Sequence, residues 1–271
     1  MTPPVLTAIP GRALLTRDDH AVNLRLKATL IHFLVSATLA GLASLIILRL
    51  WFPGGYATAL NAQGLLFLLI GCDVIVGPLM SLVICDPNKS RRTLMKDYAV
   101  IISVQVAALV YGISVVMDSR PVFAVFTKDR FNIVSAFEVE RDPAHPVSLS
   151  LTGPQLVALQ LPEDTEGRNR VLDMELSGKE LQAMPQFYVP YRPEDALAAA
   201  KPVSAARADM ATALRTEIAR QGLREDDVVW LPSQTRFGLG TLLLDRQDGS
   251  VRAFVAIDAF GEAPAPQAPE P

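Results

Sequence analysis

Asp73 has the most unusual setting of any chemical group in this 271-residue chain, an acid inside the otherwise uncharged block of residues 64–85. An ionised carboxylate facing lipid would cost at least ~2.5 kcal/mol, so Asp73 is expected to face protein, to be protonated, or both. Reckoned along the helices, Tyr111 is its expected partner and Gln105 the second choice, with His32 too far for a direct bond. A proton relay or ion site is one reading, and Gly77-Pro78 suits the broken helix that such a site uses. A hydrogen bond that locks helix packing is the simpler one.

The remaining candidates for chemistry are sparse. Cys72 and Cys85 stand 13 positions apart on one expected helix, about 19 Å, so they cannot bridge and read as small apolar packers. Residues 121–271 have a single histidine, His145, set among prolines as a surface-loop residue. No G-x-S-x-G, H-E-x-x-H, P-loop or G-x-G-x-x-G accompanies it. Asp226-Asp227 and Asp245 with Asp248 are acids at strand ends and turns, positions usually solvated rather than catalytic. The expectation is a protein that is not an enzyme, with no cofactor, no metal and no nucleic acid as partner.

The elements that position these residues divide the chain into two regimes. Residues 1–120 are net +4 and residues 121–271 net −7, so the overall −3 describes neither half. Three apolar blocks lie in the first regime, with spans expected at about 28–52, 64–85 and 98–117. The first opens with 21 residues free of Asp, Glu, Lys and Arg, enough at about 1.5 Å per residue to cross a hydrocarbon core of about 30 Å. Ser36, Ala40 and Ala43, then Gln105, Ala108 and Gly112, form small-residue faces for close helix packing.

Basic residues precede the first block (Arg12, Arg17, Arg25, Lys27) and separate the second from the third (Lys89, Arg91, Arg92, Lys96), whereas residues 53–63 carry no charge. Positive-inside counting therefore expects residues 1–27 in the cytoplasm, a three-span domain over 28–118, and an acidic domain over 119–261 delivered to the opposite face. Trp51 and Phe52 fall where aromatic residues mark a membrane interface.

The exported part reads as α+β. Apolar alternation through Val122, Ala124 and Phe126, then Phe131, Ile133 and Phe137, expects two strands around Lys128-Asp129. A helix within 162–184 is expected to stop at Gly178, and residues 185–191, rich in aromatics and bounded by prolines, either pin a loop to the core or dock a peptide. Helices are expected over 194–200 and 204–221, the latter capped by Ser204 with a stripe of Met210, Leu214 and Ile218. Strands over 228–231, 239–244 and 251–257 follow, the last two joined at Gln247-Asp248-Gly249. Residues 262–271, rich in Pro and Ala, are expected to be a flexible tail.

Certain strings carry more than composition: Arg25-Leu26-Lys27-Ala28 with Leu30-Ile31-His32; Trp51-Phe52-Pro53; Gly71-Cys72-Asp73-Val74 with Gly77-Pro78-Leu79; Gln105 with Ala108-Leu109 and Tyr111-Gly112; Arg120-Pro121; and Val125-Phe126 with Asp129-Arg130-Phe131. Together they resemble the TfpX/TfpZ family of type IV pilin accessory proteins, most densely over residues 25–139. The resemblance implies a bacterial inner-membrane protein, multi-pass, with its N-terminus cytoplasmic and its C-terminal domain periplasmic. Its implied partners are a major type IV pilin, the lipid bilayer and other pilus-assembly proteins, and it implies no reaction catalysed. His32, Trp51, Pro53, Asp73, Gly77, Pro78, Gln105, Tyr111, Arg120, Asp129 and Arg130 are the residues it singles out. Phe131, Phe187, Tyr188 and Tyr191 join Arg120, Asp129 and Arg130 as expected partner-binding residues. The rival readings are a three-span transporter or channel component using Asp73, and a membrane-tethered periplasmic sensor.

Overall fold

The computed structural model describes residues 11–84 and 89–259. Cys85 and the expected tail over 262–271 lie outside the described residues, as do the side chains of Cys72 and Asp73. Two compact units divide the chain: Met1–Leu45 with Leu65–Ser114, and Ile46–Gly64 with Val115–Pro271.

Long helices make up the first unit. Helix α1 (Gly11–Leu50) starts well before the apolar block at residue 28, and α5 (Arg91–Asp118) carries the third block. Both are long and apolar enough to cross a membrane, over Arg25–Leu50 and Arg91–Asp118. At 26 and 28 residues, each exceeds a hydrocarbon core of about 30 Å. Few of these apolar side chains are buried within the protein, the reverse of a soluble core helix.

The middle block, expected as a span over 64–85, changes its winding part-way. The chain is helical throughout, but as α3 (Ala62–Gly71), a π-helical stretch over Cys72–Val76, and α4 (Gly77–Ile84). Pro78 is the physical reason. Lacking an N–H, it cannot bond the carbonyl four residues back, and its ring crowds that carbonyl. Widening the preceding turn to i→i+5 bonding absorbs both effects. Gly71 and Gly77 keep right-handed helical dihedrals on either side, so Gly77-Pro78 marks a bulge and not the break expected.

In the second unit, seven strands form one mixed sheet in the order β4-β3-β1-β2-β5-β6-β7. Strands β1 (Pro121–Thr127) and β2 (Arg130–Ser135) make the expected hairpin, with Lys128 at φ 49° in its turn. Strand β3 (Gln155–Leu159), which the sequence reading did not anticipate, lies parallel to β1, and β4 (Tyr188–Pro190) pairs antiparallel with β3. On the other side β5 (Val228–Thr235) is parallel to β2 over a short register, and β6 (Gly238–Asp245) and β7 (Val251–Val255) continue as a meander.

Helix α6 (Thr165–Leu176) is capped by Asp164, whose carboxylate accepts from the Gly167 N–H. After the short helices α2 (Tyr56–Ala59) and α7 (Pro193–Ala199), helix α8 (Ala208–Arg220) turns Met210, Leu214 and Ile218 onto Trp230, Leu243 and Ala253. The cap expected at Ser204 is not used. Ser204 sits in a 3-10 turn over Val203–Ala205, and Arg207 occupies the cap position instead.

Because side chains alternate across a strand, the neighbours of Leu243 and Ala253 point to the opposite face. There Phe254 pairs with Leu242, and the ring of Tyr56 lies 6.3 Å from that of Phe254. The segment after α1 is thus part of the sheet domain, packed on the face away from α8.

Candidate functional site

Three helices converge on a polar cluster in the first unit. His32 comes from α1, Ser81 from α4 and Gln105 from α5. The imidazole Nε2–H donates to Gln105 Oε1 at 2.9 Å, and Nδ1 shares a hydrogen bond with the Ser81 hydroxyl at 2.5 Å. Ser81 is fully buried, so in an apolar surround its hydroxyl needs this partner.

Gly77 is what allows the approach. A Cβ there would run into the Gln105 amide and stand 3.1 Å from His32 Nε2. Pro78 is buried beside it. Beside the cluster, an apolar groove of about 510 Å³ runs between α1 and α5, walled by Ile31, Val35, Leu39, Ile102 and Leu109, with His32 and Gln105 as its polar floor. Small residues of α1, Ala28, Ser36 and Ala40, also line it. Such an arrangement can hold helices in register and can receive an apolar chain. No group of three or more His, Cys, Asp or Glu suited to a metal occurs among the described residues.

The sequence reading anticipated the residues of this cluster better than their pairing. His32, Gly77, Pro78 and Gln105 come together, but Gln105 serves His32, and Ser81 was missed altogether. Tyr111, the partner expected for Asp73, is 72% exposed on α5 and stands apart from the cluster. Asp73 lies in the π-helical turn, and its side chain is outside the described residues.

Most residues expected to meet a partner make contacts within the sheet domain. Arg120 is buried. Its Nη1 donates to the Met117 carbonyl at 2.6 Å, satisfying an end of α5, and its Nε donates to the Ser150 carbonyl at 2.8 Å. Burial lowers its pKa, against the raising effect of Asp118. Phe131 is also buried, its ring 5.4 Å from Phe126 and 5.9 Å from Tyr191, so it belongs to the core and cannot face a partner.

Residues 185–191 are held against the rest of the sheet domain, with Phe187, Tyr188 and Tyr191 half-buried. Tyr188 donates its hydroxyl to the Gln182 carbonyl, Tyr191 donates to the Gly249 carbonyl, and Phe187 packs on the Val171, Leu181 and Met184 cluster. Burial pushes the Tyr191 phenol up to about 12 and the Tyr188 phenol higher still. Asp129 alone of the seven is fully on the surface, with Arg130 half-exposed beside it. Arg130 Nε donates to the Asp129 carboxylate at 2.9 Å and holds it below the usual carboxylate range.

A second constellation escaped the sequence reading. Residues 53–59 dock on the sheet domain: Pro53 packs on Gly153, Gly55 lies against the Phe254 carbonyl, and Thr235 Oγ1 donates to the Ala59 carbonyl at 3.1 Å. Gly54-Gly55 followed by Tyr56 was its only signal, and nothing local distinguishes that from an ordinary turn.

Comparison with known proteins decides the kinship. The family described as Fimbrial assembly protein FimB matches residues 20–60, which contain both His32 and the docking segment. A fimbrial assembly protein of serogroups C1 and C2 from Dichelobacter nodosus is 35% identical over 112 residues, 41% of this chain and 86% of that protein. This chain belongs to the fimbrial assembly protein family. Two further members from Dichelobacter nodosus, of serogroups I and E1, are 27% and 26% identical over 242 residues, 85% of this chain and 94% of each. The similarity to these fimbrial assembly proteins extends through both units. No solved structure matches.

Proposed function

We propose that the protein is an inner-membrane accessory factor of the TfpX/TfpZ kind, which binds a major type IV pilin, stabilises it and promotes its assembly into pili. It catalyses no reaction in this role. The observation that carries this reading is the apolar α1–α5 groove, found in a chain whose relatives are named for fimbrial assembly. A guest lying within a bilayer must satisfy its own backbone, so it is a helix, and an apolar groove selects an apolar one. The hydrophobic helix of a membrane-inserted pilin fits that description.

Three spans make the membrane domain in this reading. The helical run 62–84 reaches about 34 Å, enough to cross despite its π-helical turn. Basic flanks put the N-terminus in the cytoplasm and the sheet domain in the periplasm. Residues 53–59 and the sheet then lie on one side of the membrane, which agrees with their packing against each other. Confining chain and pilin to one plane raises their effective concentration, so a weak interface suffices.

Photocrosslinking in piliated cells tests the reading. A crosslinker at Leu39 or Val106, in the groove, is expected to give a pilin adduct, while one at Val104, exposed on α5 away from the groove, gives background. Background labelling from Leu39 and Val106 overturns groove binding. A second crosslinker at Asp129 tests contact between the sheet domain and the globular part of the pilin.

A further inference from the structure

Three separate loops of the sheet domain are tied to the points where the long helices end, and each carries exposed apolar surface. The first holds Phe137, whose N–H donates to the carbonyl of Asp118, the last residue of α5, at 2.9 Å. Leu151 is in the second, between Ser150, whose carbonyl accepts from Arg120, and Gly153, which packs on Pro53 three residues after α1 ends. The third is the β5–β6 turn with Phe237, followed by Leu239 at the start of β6, and it begins at Thr235, which donates to the Ala59 carbonyl three residues before α3 begins. Phe137 is 45% exposed, Leu151 56%, Phe237 51% and Leu239 41%. The Arg236 guanidinium lies 5.6 Å from the centre of the Phe137 ring, which joins the first loop to the third.

We propose that these loops form a collar that rests in the headgroup layer of the periplasmic leaflet, with Phe137, Leu151, Phe237 and Leu239 dipping toward the acyl chains and Arg236 meeting lipid phosphate. The bilayer is the occupant because the patch is continuous with the ends of helices long and apolar enough to cross one. Its chemistry fits that zone: amphipathic aromatic surface and a basic side chain on an apolar stem. Seated this way, the collar fixes the height and tilt of the sheet domain above the membrane, and so where a membrane-inserted partner meets it.

The inference rests on the membrane-spanning reading, and its test separates the two. In a Cys72→Ala, Cys85→Ala background, single cysteines replace Phe237, Leu151, Leu176 or Val104 and are labelled with a polarity-sensitive fluorophore. The full chain is reconstituted in phosphatidylethanolamine and phosphatidylglycerol vesicles containing lipids with a nitroxide in the headgroup or at mid-chain. Headgroup nitroxide is expected to quench the probes at 237 and 151, and to leave the probe at 176, exposed on α6, bright. Quenching at 237 and 151 no greater than at 176, with position 104 quenched from mid-chain, overturns the collar and leaves the spans standing. An unquenched probe at 104 removes the membrane-spanning reading, and the collar with it.

Discussion

Gly55 stands so close to the carbonyl of Phe254 that a Cβ on it would lie 2.6 Å from the carbonyl oxygen, and its φ of +93° is one that side-chain-bearing residues rarely adopt. Glycine is required there twice over, once for the backbone angle and once for the contact. Phe254 is in β7, the last strand of the sheet, whose outer edge would otherwise be free to pair with other chains. Residues 53–55 cover it.

Gly55→Ala is therefore expected to destabilise the sheet domain by about 1–3 kcal/mol. Thermal unfolding in detergent should show a lowered transition, and size-exclusion chromatography should show increased self-association through the uncovered edge. An unchanged transition would mean that the docking is dispensable.

Gly77→Ala should force the Gln105 amide away from His32 and weaken the three-helix cluster. His32→Ala leaves the buried Ser81 hydroxyl and the Gln105 amide without the ring that joins them, a loss of about 1–3 kcal/mol. Both variants are expected to show reduced protein level and fewer surface pili, while His32→Gln, which can restore one bond, retains more. Immunoblotting alongside pilus counts separates lost protein from lost function.

The raised pKa of Tyr191 carries a pH dependence of definite sign. Its phenol ionises near 10 when unfolded and near 12 when folded, so the stabilisation is complete below pH 10 and is lost as pH rises toward 12. Tyr191→Phe removes the hydrogen bond to Gly249, costing about 1 kcal/mol at neutral pH, and flattens the alkaline decline. Unfolding transitions measured between pH 8 and 12 check both effects.

Glu138 behaves in the opposite range. Burial, assisted by the charge of Glu180, raises its carboxyl pKa even though its carboxylate accepts from the Ser135 N–H. Its favourable contribution is thus complete below the ordinary carboxylate pKa of 4.5 and disappears as pH rises through the raised value. Glu138→Gln keeps an acceptor for Ser135 and removes the charge. Stability at pH 7 is expected to be unchanged or higher, and the gain seen on acidification smaller, in a pH series of unfolding transitions.

How much of this could be read from residues alone follows from the range of each interaction. The β1–β2 hairpin, the α8 stripe of Met210, Leu214 and Ile218, and the β6–β7 hairpin at Gly249 are governed by neighbours within a few positions, and each was legible. Strand β3 was not. It is short, half-buried, and stabilised by parallel pairing with a strand about 30 residues earlier, which leaves no local periodicity. At the candidate site, the small and polar residues His32, Gly77, Pro78 and Gln105 stood out because apolar helices make them conspicuous, yet which polar group meets which depends on helix rotation.

Helix length and uncharged run identified by themselves the apolar elements, their order and the charge division between the two halves, because hydrophobicity and charge are sums over local sequence. Tertiary structure alone decided that Gln105 bonds His32, that Arg120 and Phe131 are buried, and that residues 53–59 dock on the sheet. Those outcomes join positions as far apart as Ala59 and Thr235, 176 residues along the chain. Contacts of that kind depend on how close two backbones come, which is set by the packing of every element between them.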